Sequence, residues 1–174
     1  MIHHSFAGLL MIWLSSSLFS ETVSAQSNPV SLRPDVEVQF VKKVPAYCAR
    51  MGIDPISKAI FYAETTGKIH RVTFPAGNVK DTIMFTTTHH HVTNIYGMAF
   101  SDSILYLVGS EPVDTAYKFG LIVRGKLKSN GTRIWDTVAV TQYYPSGNTP
   151  YDHGFGGIVP TPSGDSLIIC SGSR

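Results

Sequence analysis

Asp152 and His153 stand directly before a glycine-rich run, Gly154-Phe155-Gly156-Gly157. An imidazole is the side chain best matched to taking a proton near neutral pH. Glycines on one side of it permit tight turns and close backbone approach, the composition of a loop that presents one side chain into a site. The same pair also fits a plain loop, with His153 bonded to backbone and Asp152 capping a turn. A second cluster is His89-His90-His91. In an extended segment consecutive side chains face opposite ways, so three adjacent histidines seldom converge on one metal. They are expected in a solvated loop, with His90 or His91 at a pocket mouth as the sharper alternative. Cys48 and Cys170 are the only cysteines and form no C-x-x-C spacing, which leaves a disulfide and two buried thiols equally open. Ser171 and Ser173 lack a nucleophile elbow, so serine-hydrolase chemistry has no support.

The elements that would position these residues are short strands. After the first 25 residues the chain is rich in Gly, Pro, Thr, Tyr and Val and sparse in charge, a composition that favours strands over helices. Ala59–Glu64 and Lys68–Phe74 flank a Thr65-Thr66-Gly67 turn, and the second run alternates with period two. Glu37–Val41 alternates as well and predicts a strand, as does Thr82–Thr87. Leu121–Leu127 and Ile134–Val140 flank Asn130-Gly131, a strong hairpin turn that also matches a glycosylation sequon through Thr132. Arg124, inside an apolar run, is expected to meet a carboxylate of a neighbouring unit, with a ligand contact as the alternative.

Residues 1–25 carry an apolar run from Phe6 to Phe19, too short to span a bilayer, and small residues at Val23-Ser24-Ala25. This predicts a signal peptide (1–25) and a secreted or periplasmic protein, with a polar linker at 26–36 and one domain over 37–174. Cleavage would move the formal charge from +2 to +3 through loss of Glu21. So small an imbalance gives no ground for a nucleic-acid or membrane-surface partner. No later segment is apolar enough to span a membrane.

A repeat organises the domain. Gly52, Gly97 and Gly157 recur 45 and 60 residues apart, each followed by an apolar strand. Glu111–Lys118 lengthens the second unit as an insertion. Short strands at this period suit propeller blades, while periodicity alone leaves a sandwich open.

The segment from Asp152-His153-Gly154 through Pro162-Ser163-Gly164-Asp165 to Leu167-Ile168-Ile169-Cys170-Ser171-Gly172 resembles the part of glucose/sorbosone dehydrogenase-like proteins that begins with Asn/Asp-His. Lys58–Val72 is similar to that family's first blade, and Tyr96-Gly97-Met98-Ala99-Phe100 with Leu105-Tyr106-Leu107 to its second. The resemblance implies an exported, all-β, six-bladed β-propeller, of which this sequence holds about two blades and the start of a third. Six blades of about 40 residues need roughly 240 residues, so a longer chain is expected.

Further implications concern chemistry. The family's best-known members use pyrroloquinoline quinone and calcium, held by residues of later blades, to oxidise a sugar or polyol hydroxyl. By resemblance His153 is the general base and Asp152 a substrate contact. Thr93 and Asn94 stand where the family has a sugar-contacting glutamine. The competing expectation is a propeller that binds a carbohydrate or protein without catalysis.

Overall fold

The computed structural model of the chain describes residues 32–44, 47–147 and 154–171. The chain divides into two units, residues 1–40 and 41–174. In the first, the described residues form a turn in which the Val36 N–H donates to Arg33 O and the Arg33 guanidinium pairs with Asp35. Glu37–Val41 forms no strand: the alternation expected there meets no partner strand among the described residues.

The second unit is all-β, built on three antiparallel sheets. The first is a four-stranded meander of β1 (Cys48–Ile53), β2 (Ile60–Glu64), β3 (Ile69–Thr73) and β4 (Lys80–Phe85). A four-residue helix, α1 (Thr87–His90), leads to the second meander: β5 (Ile95–Ser101), β6 (Ile104–Pro112), β7 (Tyr117–Leu127) and β8 (Arg133–Val140). A short β9 (Tyr144–Pro145) pairs with the start of β7. The third sheet is the hairpin β10 (Phe155–Pro160) with β11 (Leu167–Ser171). No helix among the described residues is long and apolar enough to cross a membrane.

Turn chemistry fixes the registers. Gly67 closes the β2–β3 hairpin at φ +87, and Gly131 closes β7–β8 at φ +81, both in the left-handed region that a Cβ disfavours. The stretch expected as an insertion, Glu111–Lys118, extends the β6–β7 hairpin, whose tip is tied by Asp114 Oδ1 accepting the Ala116 and Tyr117 N–H groups (both 2.7 Å).

The unbroken apolar runs in β6 and β7 reflect burial on both faces. Leu105, Leu107, Leu121 and Val123 point to one side, where they meet Phe61, Ala63, Ile69 and Phe85 of the first sheet. Tyr106, Val108 and Ile122 point to the other side and pack on Ile158 of the third sheet. Each fully buried Leu, Ile or Val stabilises by about 1.5–3 kcal/mol relative to exposure. The three repeat glycines all lie on first strands, and those strands are neighbours. A Cβ on Gly52 would reach Phe100 at 3.6 Å, and one on Gly97 would sit 3.1 Å from Gly156 O. Arg50 on β1 donates to Gly156 O on β10 (2.9 Å).

Two local expectations are corrected. Arg124 pairs with Asp136 (2.9 Å), its cross-strand neighbour in the same sheet, not with a carboxylate of another blade. Cys48 and Cys170 are both free thiols and both exposed, so neither the disulfide nor the buried pair is found.

Candidate functional site

One end of the strands gathers the polar groups. It begins at the β2–β3 turn, where Gly67 lies so close to the segment after β4 that a Cβ would fall 2.4 Å from Thr87 Cγ2 and 2.8 Å from Val92 O. The helical turn α1 forms there because the Thr86 N–H donates to His89 Nδ1 (3.2 Å), and His91 at φ 62 ends it. The histidine run is therefore a helical turn rather than an extended loop, with His89 and His91 exposed and His90 buried. His90 is 1% exposed; its Nε2–H donates to Gly67 O (3.0 Å) and its Nδ1 accepts the Val92 N–H (3.1 Å). Burial pushes the His90 imidazole down to about 4, so near neutral pH it is an uncharged structural pin.

From Val92 the chain enters the stretch expected to contact substrate. The Glu111 carboxylate, buried at the end of β6, accepts the Thr93 N–H (2.7 Å), the Asn94 N–H (3.3 Å) and the Thr93 hydroxyl. Asn94 Nδ2 donates to Thr93 Oγ1 (3.1 Å). Close backbone approach secures the pair: a Cβ on Gly109 would lie 2.2 Å from Asn94 O. Next to Glu111, the Ser110 Oγ accepts from Tyr144 OH (2.8 Å) and from the Phe155 N–H (3.3 Å). Gly154 rests on the same hydroxyl, where a Cβ would sit 2.1 Å from Ser110 Oγ. The glycine that follows His153 thus adjoins the Ser110-Glu111 pair, and that pair holds Thr93 and Asn94. Asp152 and His153 themselves lie outside the described residues.

Sequence reasoning missed a second constellation, on the face of the first sheet turned away from the second. His70 Nε2 lies 3.0 Å from Glu64 Oε1, and its Nδ1 lies 3.0 Å from Asp81 Oδ1. The ring thus bridges the two acidic side chains through its two nitrogens. Tyr62 stacks on the ring (centroids 4.4 Å apart) and donates its hydroxyl to Asp81 Oδ2 (2.8 Å), while Lys42 pairs with the same oxygen. Burial pushes the Asp81 carboxyl up, yet hydrogen bonds from Lys42, Tyr62 and His70 outweigh it and hold the group below its ordinary value. Burial, with Asp81 and Glu64 nearby, pushes the Tyr62 phenol well above its usual range. Glu64 also accepts from Thr66 Oγ1 (2.8 Å). With Glu64 2% and His70 5% exposed, this network holds a sheet face together and presents no open ligand position. The available signal was the direct Tyr62–His70 pairing across the predicted hairpin.

A carboxylated quinone with calcium needs uncommitted cations and a set of oxygen ligands. Among the described residues no three His, Cys, Asp or Glu are grouped to hold a metal. Arg50 donates to Ala49 O and Gly156 O, Lys68 approaches Glu64 (3.9 Å), and Lys118 lies over the Tyr144 ring. Around Asn94 the described residues therefore offer no set that fits that group, whose holders the resemblance places on later blades. Comparison with protein-family models and with curated proteins finds no match.

Proposed function

We propose that this chain is a propeller-type domain of the glucose/sorbosone dehydrogenase-like kind that engages a sugar or polyol at the strand end around Asn94. In this reading His153 takes the proton of a substrate hydroxyl and Asp152 holds a neighbouring one. The observation that carries it is the seating of Gly154 on Ser110, one residue from the carboxylate that fixes Thr93 and Asn94. The propeller reading draws support from the adjacency of the first strands, β1, β5 and β10, and from the face-to-face packing of successive meanders.

Within that site Asn94 is the better hydroxyl contact. The hydroxyl and N–H of Thr93 are committed to Glu111, whereas the Asn94 carboxamide oxygen is not engaged by any described residue. A carboxamide offers both a donor and an acceptor, which suits a vicinal diol. Since the described residues around Asn94 offer no set that fits pyrroloquinoline quinone and calcium, hydroxyl recognition and proton transfer are the steps assigned to this chain. The lack of the family's sugar-contacting glutamine, with Thr93 and Asn94 in its place, favours a second reading, a propeller that binds a carbohydrate or a protein without oxidising it.

Dye reduction over a panel of sugars and polyols, with the quinone and calcium supplied, separates the two. The dehydrogenase reading expects turnover with at least one sugar, falling about 100-fold or more in His153→Ala. Sugar binding without turnover selects the binding module, and an unchanged rate in His153→Ala removes His153 as the base.

A further inference from the structure

A cavity of about 160 Å³ opens between the first two sheets, lined by Phe61, Arg71, Met84, Phe85, Leu127 and Arg133. Asp54, at the end of β1, and the β7–β8 turn border it, which places it at the strand ends opposite Asn94. Its walls are mostly apolar, but two arginines line it.

Arg71 is the anomaly. Its Nε is fully buried and has no hydrogen-bond partner, and no carboxylate lies within ion-pair distance of its guanidinium among the described residues. Native proteins leave few buried polar atoms unsatisfied, and the Arg71 side chain as a whole is only part-buried, so the rest of its guanidinium can meet a ligand from the cavity. The other charges lining the cavity are already engaged. Arg133 donates through Nη1 to Ser103 O (2.6 Å) and Gly125 O (2.7 Å). Asp54 accepts the Ile56 N–H (3.1 Å) and the Ser57 hydroxyl (2.7 Å), which closes its own turn. Two cations face one committed anion, so the cavity favours a negative group, and the unsatisfied donor is on Arg71.

We propose that this cavity binds a small monocarboxylate with an apolar body, the carboxylate on Arg71 and the body against Phe61, Met84 and Phe85. An arginine fork matches a carboxylate in geometry as well as charge. The size suits the proposal, because an apolar cavity of about 150 Å³ accommodates benzene. A dianion such as phosphate is a poorer fit, since it would need a second uncommitted cation and would gain nothing from the aromatic wall.

Titration calorimetry of the full chain with benzoate tests this, alongside benzyl alcohol as the uncharged analogue and sulfate as an anion without an apolar body. The quenching or shift of Trp135 fluorescence gives a second readout, because its ring meets Phe85 edge-on (5.4 Å). Saturable binding of benzoate is expected, with benzyl alcohol and sulfate each at least tenfold weaker. Arg71→Leu should weaken benzoate at least tenfold. If that variant does not fold, the comparison of the three ligands on the unmodified chain decides. No saturable benzoate binding, benzyl alcohol binding as tightly as benzoate, or an Arg71→Leu variant that binds as well as the parent would each overturn the proposal.

Discussion

Gly154 passes so close to Ser110 that a Cβ on the glycine would lie 2.1 Å from the serine Oγ. That hydroxyl cannot simply move aside, because Tyr144 OH and the Phe155 N–H both donate to it. Gly154→Ala should therefore cost about 1–3 kcal/mol, the usual range for overpacking a well-filled site. The urea midpoint would fall accordingly; an unchanged midpoint would mean that this contact is not formed.

His90 gives the fold a pH dependence whose sign can be worked out. Its value is about 4 in the folded chain against an ordinary 6.5, so between these limits the unfolded chain binds more protons. Stability attributable to this group is complete above pH 6.5 and is lost as pH falls towards 4. The loss reaches about 3 kcal/mol. Urea midpoints measured across pH 4 to 7 should show this slope, and His90→Gln should flatten it at a lower overall stability. A parent protein whose midpoint does not change across that window would contradict the assignment.

Removing His70 leaves the buried Glu64 and the part-buried Asp81 without the ring between them. His70→Ala should cost about 1–3 kcal/mol, as for leaving a buried hydrogen-bonding group without its partner. Asp81 contributes in a different pH window. Its carboxyl lies below the ordinary value when folded, so its stabilisation is present above the unfolded value near 4 and disappears as pH falls through the folded one. In Asp81→Asn the acid limb of the stability profile should be shallower than in the parent, read by circular dichroism during acid titration. An identical limb would exclude Asp81 from acid unfolding.

The Glu111 carboxylate holds Thr93 and Asn94 through backbone N–H groups that have no other acceptor among the described residues. Glu111→Gln keeps the size but removes the charge and one acceptor. Charge-assisted hydrogen bonds contribute about 1.5–3 kcal/mol each, so the variant should lose stability by at least that amount. Amide exchange at Thr93 and Asn94 should accelerate in step. Unaltered protection at both amides would show that Glu111 does not order this loop.

Much of the sheet structure was legible because the signals are local. The β2–β3 hairpin follows from alternation around Thr65-Thr66-Gly67, and β7–β8 from Asn130-Gly131. The repeat glycines marked the first strand of each sheet, since that is where first strands approach one another. Other features depend on distant partners. Cys48–Ile53 has no alternation and becomes a strand by pairing with β2, while Glu37–Val41 alternates but finds no partner. The turn at Thr87–His90 depends on His90 reaching Gly67 O, 23 residues away in sequence. The Glu64–His70–Asp81 bracket needs β2, β3 and β4 assembled before any of its contacts exists. In the candidate site, the types of Thr93 and Asn94 suggested contact with hydroxyls, but no local pattern revealed that Glu111 would claim most of Thr93.

Calorimetric titration of a sugar and polyol panel into the parent chain, Asn94→Ala and His153→Ala tests the central claim most directly. The account predicts saturable binding of at least one polyol, weakened about tenfold or more by Asn94→Ala and also weakened by His153→Ala, because the proposal puts both residues in one site. Absence of binding across the panel, or binding that neither substitution changes, would contradict it.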